Sequence, residues 1–300
     1  MDFVDVAAAL SRRLDGLRGR GRIAQRMYRP TADGNWKVPM TAGHMMVFPR
    51  SAAVGWVPAF TGTYDDAEIR LIHPYIEAGG FVVDIGACFG FYTVPLGIVA
   101  RDRDALVAAV EPAIANITYL NANIARNGLF HAVFVVHAAL GHVRGEGLLR
   151  FESGRVGNAA IDDSAISNPG AGPVERVSVL PLDELELPPS FDGRRCSLVK
   201  LDVEGMEMSV LGGGEAFISR HRPTIVGEFS REWLSMRGLD PSEPSSWAAA
   251  HGYTCFEIVR KRRSLVTDRY DVLVTGAANG RTRTSDSVLL LPTKRAHLLQ

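Results

Sequence analysis

Cysteine is scarce. The 300 residues hold three, Cys88, Cys196 and Cys255, far apart and without a CxxC pair. That argues against a disulfide framework or a zinc knuckle and fits a reducing compartment. Net charge is missing as well, because 33 basic residues balance 33 acidic ones. No overall field draws the chain toward nucleic acid or an anionic membrane. No long apolar run exists. The longest uncharged and largely apolar stretch, residues 85–100, contains three glycines and falls short of the roughly 18 residues a membrane span needs. The opening MDFVDVAAALSRR carries Asp2 and Asp5 ahead of its short apolar stretch, the reverse of a signal peptide and too acidic for a transit peptide. Repeats and a GxGxxG fingerprint are also lacking. These absences lead us to expect a cytoplasmic protein without a membrane span. Hydrophobic content of 46% with 22% charged residues is ordinary globular composition. The length suits one large domain, or a domain with an extension.

Residues 1–50 differ from the rest. Val4, Val6, Ala7, Leu10, Leu14 and Leu17 share one face of a helix predicted to end near Gly19. Residues 1–30 hold seven arginines against three aspartates, which suits either a solvated helix and linker or a polyanion contact. We expect a helical extension over 1–50 and one domain over 51–300. From Phe81 onward, apolar strand-like runs alternate with helical ones: FVVDI, ALVAAVEP, AVFVVHAAL, SLVKLDVEG, PTIVGEF, YTCFEIV and DSVLLLP are the strands. GLLRFES and RVSVLPL add two more around a Gly/Pro/Ser-rich loop at 164–173. The alternation predicts a doubly wound α/β sheet, mostly parallel, with helices on both faces. Ligands in such sheets bind outside the carboxyl ends of the strands, where strand order reverses. Asp84, Glu111, Asp202, Glu204 and Glu228 all fall at or just beyond strand ends, so they should converge on one crevice.

The first strand runs into DIGACFG, with Asp84 beside a turn made by Gly86 and Gly90. A dinucleotide fold places GxGxxG there, with a helix N-terminus facing pyrophosphate. A carboxylate in that place opposes phosphate and suits a cationic ligand such as S-adenosylmethionine, with its ammonium and sulfonium. The glycines allow close backbone approach. Glu111 ends the second strand and is placed to accept both ribose hydroxyls, as the acid of nucleotide folds does. The plainer alternatives are a helix cap for Asp84 and a solvated strand end for Glu111.

FVVDIGACFGFYT, Glu111-Pro112, the run Asn116, Leu120, Asn123, Ile124, Asn127 and Gly128, the PLDEL stretch and Lys200-Leu201-Asp202-Val203-Glu204-Gly205-Met206-Glu207 together resemble the FkbM family of class I methyltransferases. The resemblance covers roughly residues 60–292. It implies a Rossmann-like, seven-stranded fold, S-adenosylmethionine as cofactor and methyl transfer to a hydroxyl of a small molecule or glycan. One position departs from the pattern: Cys88 stands where the family has asparagine. A packed thiol explains Cys88 better than a nucleophile, because no base is placed near it in sequence.

Methyl transfer to a hydroxyl needs alignment and benefits from a base or a metal ion. Asp202 and Glu204 are the catalytic candidates, one positioning the acceptor or acting as base. Glu204 alternatively pairs with Lys200, itself an ion-pair partner in this reading. Asp84, Gly86, Ala87, Gly90, Tyr64, Glu111, Pro112, His137 and Ala138 are the cofactor-binding candidates. Tyr64 closes over the cofactor or packs in its loop, and His137 touches adenine or is structural. Asn158 and Glu228 are the substrate-side candidates. Asp202 with Glu228 is a weak pattern for a divalent ion. The expected partner is a small-molecule or glycan acceptor, without nucleic acid and with a homo-oligomer left open. Three rivals stand beside this reading: a nucleic-acid or protein methyltransferase, although amino-methylating DNA enzymes carry an N/D-P-P-Y turn where this chain has DVEG; a non-catalytic cofactor-binding or interaction protein; and an NAD-dependent dehydrogenase.

Overall fold

The computed structural model describes residues 3–13, 34–151, 159–161, 174–262, 270–276 and 285–299. Fourteen strands occur among them. In chain order they are β1 (Asn35–Pro39), β2 (Met45–Pro49), β3 (Phe81–Ile85), β4 (Leu106–Glu111), β5 (Val133–His137), β6 (Ala139–Gly141), β7 (Gly145–Phe151), β8 (Ala159–Ile161), β9 (Val174–Pro181), β10 (Cys196–Leu201), β11 (Thr224–Glu228), β12 (Tyr253–Arg262), β13 (Tyr270–Gly276) and β14 (Ser287–Pro292).

The large sheet has the order β13-β12-β14-β11-β10-β3-β4-β5. Its centre is parallel, from β11 through β10, β3 and β4 to β5. β14 pairs antiparallel with β11, and β12 with β14. The chain winds outward from β3 to β5, then crosses over to β10 and β11. Strand order therefore reverses between β3 and β10, and a ligand crevice belongs there. The class I methyltransferase architecture expected from the sequence is present. Seven strands were expected in this sheet, and eight are found. The eighth, β13, is an edge strand hydrogen-bonded to β12 alone, with Leu273 exposed, so it lacked the buried pattern that marks the others.

Three local differences have physical causes. AVFVVHAAL is not one strand: β5 stops at His137, and β6 leaves for a second sheet of order β6-β9-β7-β8. EMSVLGGGEAFISRH, whose sequence reads as one helix, forms two, Glu207–Gly212 and Glu215–His221. A Cβ on Gly213 would sit 2.1 Å from the Gly141 carbonyl, so the break lets the backbone seat against β6. In the N-terminal part the helix spans Phe3–Arg13, but residues 35–49 form the β1–β2 hairpin rather than more helix. The predicted helix face also differs. Ala8 is buried, while Val6 and Leu10 are exposed; the Val4 side chain, Leu14 and Leu17 lie outside the described residues.

The hairpin is seated by Asn123 of the helix Ile114–Arg126 and by Asn127, which caps that helix. Buried Asn123 accepts from the Val47 N–H (2.7 Å) and donates to the Val47 and Phe89 carbonyls (2.9 Å each). Asn127 brackets Met45 in the same way. The family-like spacing of these asparagines thus satisfies an otherwise unpaired strand edge. Trp36, Val38, Met46 and Phe48 of the hairpin join Val82, Leu96 and Leu198 in one buried cluster. Phe81, Val83, Ile85, Val199 and Leu201 face a second cluster on the other side of the sheet. Fully burying each such aliphatic side chain contributes about 1.5–3 kcal/mol. Asp84 in β3 and Lys200 in β10 are the charged exceptions in these two strands, at 0% and 5% exposure.

Candidate active site

The turn after β3 is closed by the end of β4. Gly86 and Ala87 both donate to the Val110 carbonyl, at 2.9 and 3.0 Å. Cys88 donates its backbone N–H to Glu111 Oε2 at 2.8 Å. A phosphate cradle needs those N–H groups free, and here they are used. Gly86 has φ +81°, and a Cβ there would lie 1.8 Å from the Asp202 carbonyl. Only glycine lets the ends of β3 and β10 meet this closely. Gly90, φ +91°, faces Leu120 instead, so it serves helix packing. Cys88 has φ +49°. Asparagine tolerates this left-handed conformation better than most residues, which gives a backbone reason for the family preference at that position.

At the strand-order reversal lies an open cleft of ≈ 780 Å³, solvent included. Of the predicted cofactor residues, Tyr64, Gly86, Glu111, Pro112 and Ala138 line it. So do both catalytic candidates, Asp202 and Glu204. Among the described residues its lining carries three carboxylates and no lysine or arginine. Glu111 is 4% exposed. Its Oε1 accepts from the Ala113 N–H (2.9 Å) and Asn116 Nδ2 (3.0 Å), and among the described residues its Oε2 accepts from Cys88 alone. The carboxylate is thus a tie between two loops with acceptor capacity left on Oε2. Burial pushes this carboxyl up, and the three donors oppose that.

Asp202 Oδ2 accepts from Lys200 Nζ at 2.9 Å. Glu204 and Gly205 turn the following loop through left-handed conformations, φ +51° and +92°. Glu207 holds that loop, its Oε1 accepting from the Val203 and Gly205 N–H groups at 3.0 and 3.3 Å. Burial raises the Glu207 carboxyl to about 7. The Tyr64 ring stacks on Phe91, centroids 4.4 Å apart and planes at 14°. Burial, and then the Asp202 charge, raise its phenol well above the usual value.

The other predicted residues stand off the cleft wall. Asp84 is fully buried, accepts from Thr93 Oγ1 at 2.5 Å and lies 4.0 Å from Lys200 Nζ. Ala87 is buried in the turn. His137 is exposed and donates from Nε2 to the Pro112 carbonyl at 2.9 Å, so it supports a lining residue without lining the cleft. Glu228 is exposed at the end of β11, outside the lining. Asn158 lies outside the described residues. Among the described residues, no group of three or more His, Cys, Asp or Glu is placed to hold a metal ion. Sequence reasoning missed Val54, Asn116, Leu140, Leu149 and Met206 as lining residues. Asn116 was within reach, since it is one turn into the helix that follows Glu111. Leu149 was not, because it arrives from β7 in the second sheet.

A sheet wound in this order, with an acid-lined cleft at the reversal, defines a class I methyltransferase architecture. The sequence of the FkbM methyltransferase domain matches residues 84–255, more than half of the chain, and the protein belongs to the FkbM methyltransferase family. Among solved structures it is similar to the methyltransferase FkbM from Methylobacillus flagellatus KT, at 17% identity and a TM-score of 0.39; the match covers 70% of this chain and 43% of that one. It is similar to TYW2 of M. jannaschii in complex with AdoMet, at 14% identity, TM-score 0.40, covering 87% and 88% of the two chains. The O-methyltransferase TomG of Streptomyces achromogenes, involved in tomaymycin synthesis and solved with SAM, matches at 13% identity, TM-score 0.39, covering 75% and 77%. No curated protein matches the sequence significantly.

Proposed function

We propose that the protein transfers a methyl group from S-adenosylmethionine to a hydroxyl of a small molecule or glycan. One observation carries the donor half: among the described residues the cleft is lined by Glu111, Asp202 and Glu204 and by no lysine or arginine, and its turn N–H groups are already consumed. Such a site disfavours pyrophosphate and suits a ligand bearing an ammonium and a sulfonium. The residues fit the group. Glu111 Oε2 has acceptor capacity for a ribose hydroxyl, Pro112 and Ala138 offer an apolar wall for a base, and Tyr64 with the Gly86–Cys88 turn borders the remainder. When bound, the cofactor supplies an electrophilic methyl group.

The acceptor half rests on the family and on the carboxylates at the cleft mouth. Asp202 and Glu204 can accept hydrogen bonds from a hydroxyl and hold it in line with the methyl group, where orientation is the main requirement. One of them takes the hydroxyl proton as general base. Leu140 and Leu149 cover the cleft on the side of the second sheet and limit water. The test is methyl transfer from labelled S-adenosylmethionine to panels of sugars, hydroxylated natural products, amines, peptides and RNA. Label in hydroxyl-bearing small molecules or glycans supports the proposal. Label confined to amines, peptides or RNA overturns it.

A further inference from the structure

We propose that Lys200 is a positioning residue for Asp202, and that Asp84 acts by holding Lys200 rather than by touching the ligand. The proposal rests on the methyl-transfer reading of the cleft and adds two residues to its machinery. β3 and β10 pair in parallel with Lys200 beside Asp84 in register. Both side chains point to the same face of the sheet and both are buried. Lys200 Nζ lies 2.9 Å from Asp202 Oδ2 and 4.0 Å from Asp84 Oδ1. It also sits over the Tyr92 ring, 4.6 Å from the centroid. Thr93 fixes Asp84 from the start of the next helix.

The result is a chain of contacts, Thr93 to Asp84 to Lys200 to Asp202, whose last member alone lines the cleft. A lysine on a flexible stem becomes a fixed point charge here because an aromatic face and two carboxylates surround it. Folding does not require such a device. A buried ion pair can be replaced by apolar residues of similar volume at little or no loss. A charged chain that ends at the cleft mouth therefore points to the site. Removing one partner, by contrast, leaves a buried charge unpaired and destabilises strongly.

The test uses the full chain carrying the double substitution Asp84→Asn/Lys200→Met, which removes both charges and keeps an acceptor for Thr93. We expect a melting temperature near that of the wild type, S-adenosylhomocysteine affinity within about threefold, and kcat lower by roughly 100-fold, the scale a small misplacement costs. We also expect a crystal structure of the ligand-free double variant to show the Asp202 carboxylate moved from its wild-type place. Lys200→Arg should recover part of kcat relative to Lys200→Met, because it keeps the charge. A double variant with wild-type stability and wild-type kcat overturns the proposal, as does an Asp202 carboxylate that has not moved. Loss of S-adenosylhomocysteine affinity at unchanged kcat also overturns it, since the pair would then serve the cofactor. A wild-type protein that binds no S-adenosylhomocysteine would sink the methyl-transfer reading while leaving the Asp202 position as an independent measurement.

Discussion

Replacing Glu111 separates its two roles. Its carboxylate accepts from Cys88, Ala113 and Asn116, and it is almost fully buried. Glu111→Ala strips the acceptor from three donors. At about 1 kcal/mol each, the low end for buried donors beside an open cleft, the loss is about 3 kcal/mol. For a chain of this size that lowers the melting temperature by roughly 6–12 °C. Glu111→Gln is milder. Its amide oxygen can keep Ala113 and Asn116, but its NH₂ then faces the Cys88 N–H, so one charge-assisted bond is lost, about 1.5–3 kcal/mol. The same NH₂ replaces the Oε2 acceptor offered to a ribose hydroxyl, which should weaken S-adenosylhomocysteine binding by roughly 10- to 100-fold. Urea unfolding and calorimetric titration read the two effects separately. Unchanged affinity in Glu111→Gln would refute the ribose role and leave Glu111 as a loop tie only. Unchanged stability in Glu111→Ala would refute the tie.

Gly86→Ala should cost about 3 kcal/mol or more, from left-handed strain and from the overlap of its Cβ with the Asp202 carbonyl; a melting curve like the wild type's would contradict the close approach of β3 and β10. Cys88→Asn should stabilise by about 1 kcal/mol because asparagine accepts the left-handed backbone more readily, and denaturant titration showing no gain would count against strain at that residue. Glu207 gives a pH signature. Its folded carboxyl is raised from 4.5 to about 7, so the stability it contributes is complete below the unfolded value and is lost as pH rises through the folded one. Glu207→Gln mimics the protonated form and keeps an oxygen for Val203 and Gly205, so its stability relative to wild type should rise between about pH 5 and about pH 8. A difference that stays flat with pH would exclude the raised carboxyl.

The central sheet was legible because β3, β4, β10 and β11 are buried on both faces and separated by helical runs. The cleft's acids were legible because Glu111, Asp202 and Glu204 end such strands. Asp84 shows the limit of that logic. Its position at a strand end suggested a ligand contact, but alternation puts its side chain into the sheet face, beside Lys200. Only the register between β3 and β10 reveals that pairing, and register between sequence-distant strands is not written in either strand. The β1–β2 hairpin was hidden for a similar reason. Its edge is satisfied by Asn123 and Asn127, some eighty residues away. The roof of the cleft came from β7, whose pairing with β9 joins segments some thirty residues apart and places Leu149 over the pocket.

The most direct test of the account is a calorimetric titration of the wild-type protein with S-adenosylhomocysteine and, separately, with NAD. We predict saturable one-site binding of S-adenosylhomocysteine, weakened in Glu111→Gln, and no measurable binding of NAD. Binding of NAD with none of S-adenosylhomocysteine would contradict the reading of the acid-lined cleft as a site for a cationic methyl donor.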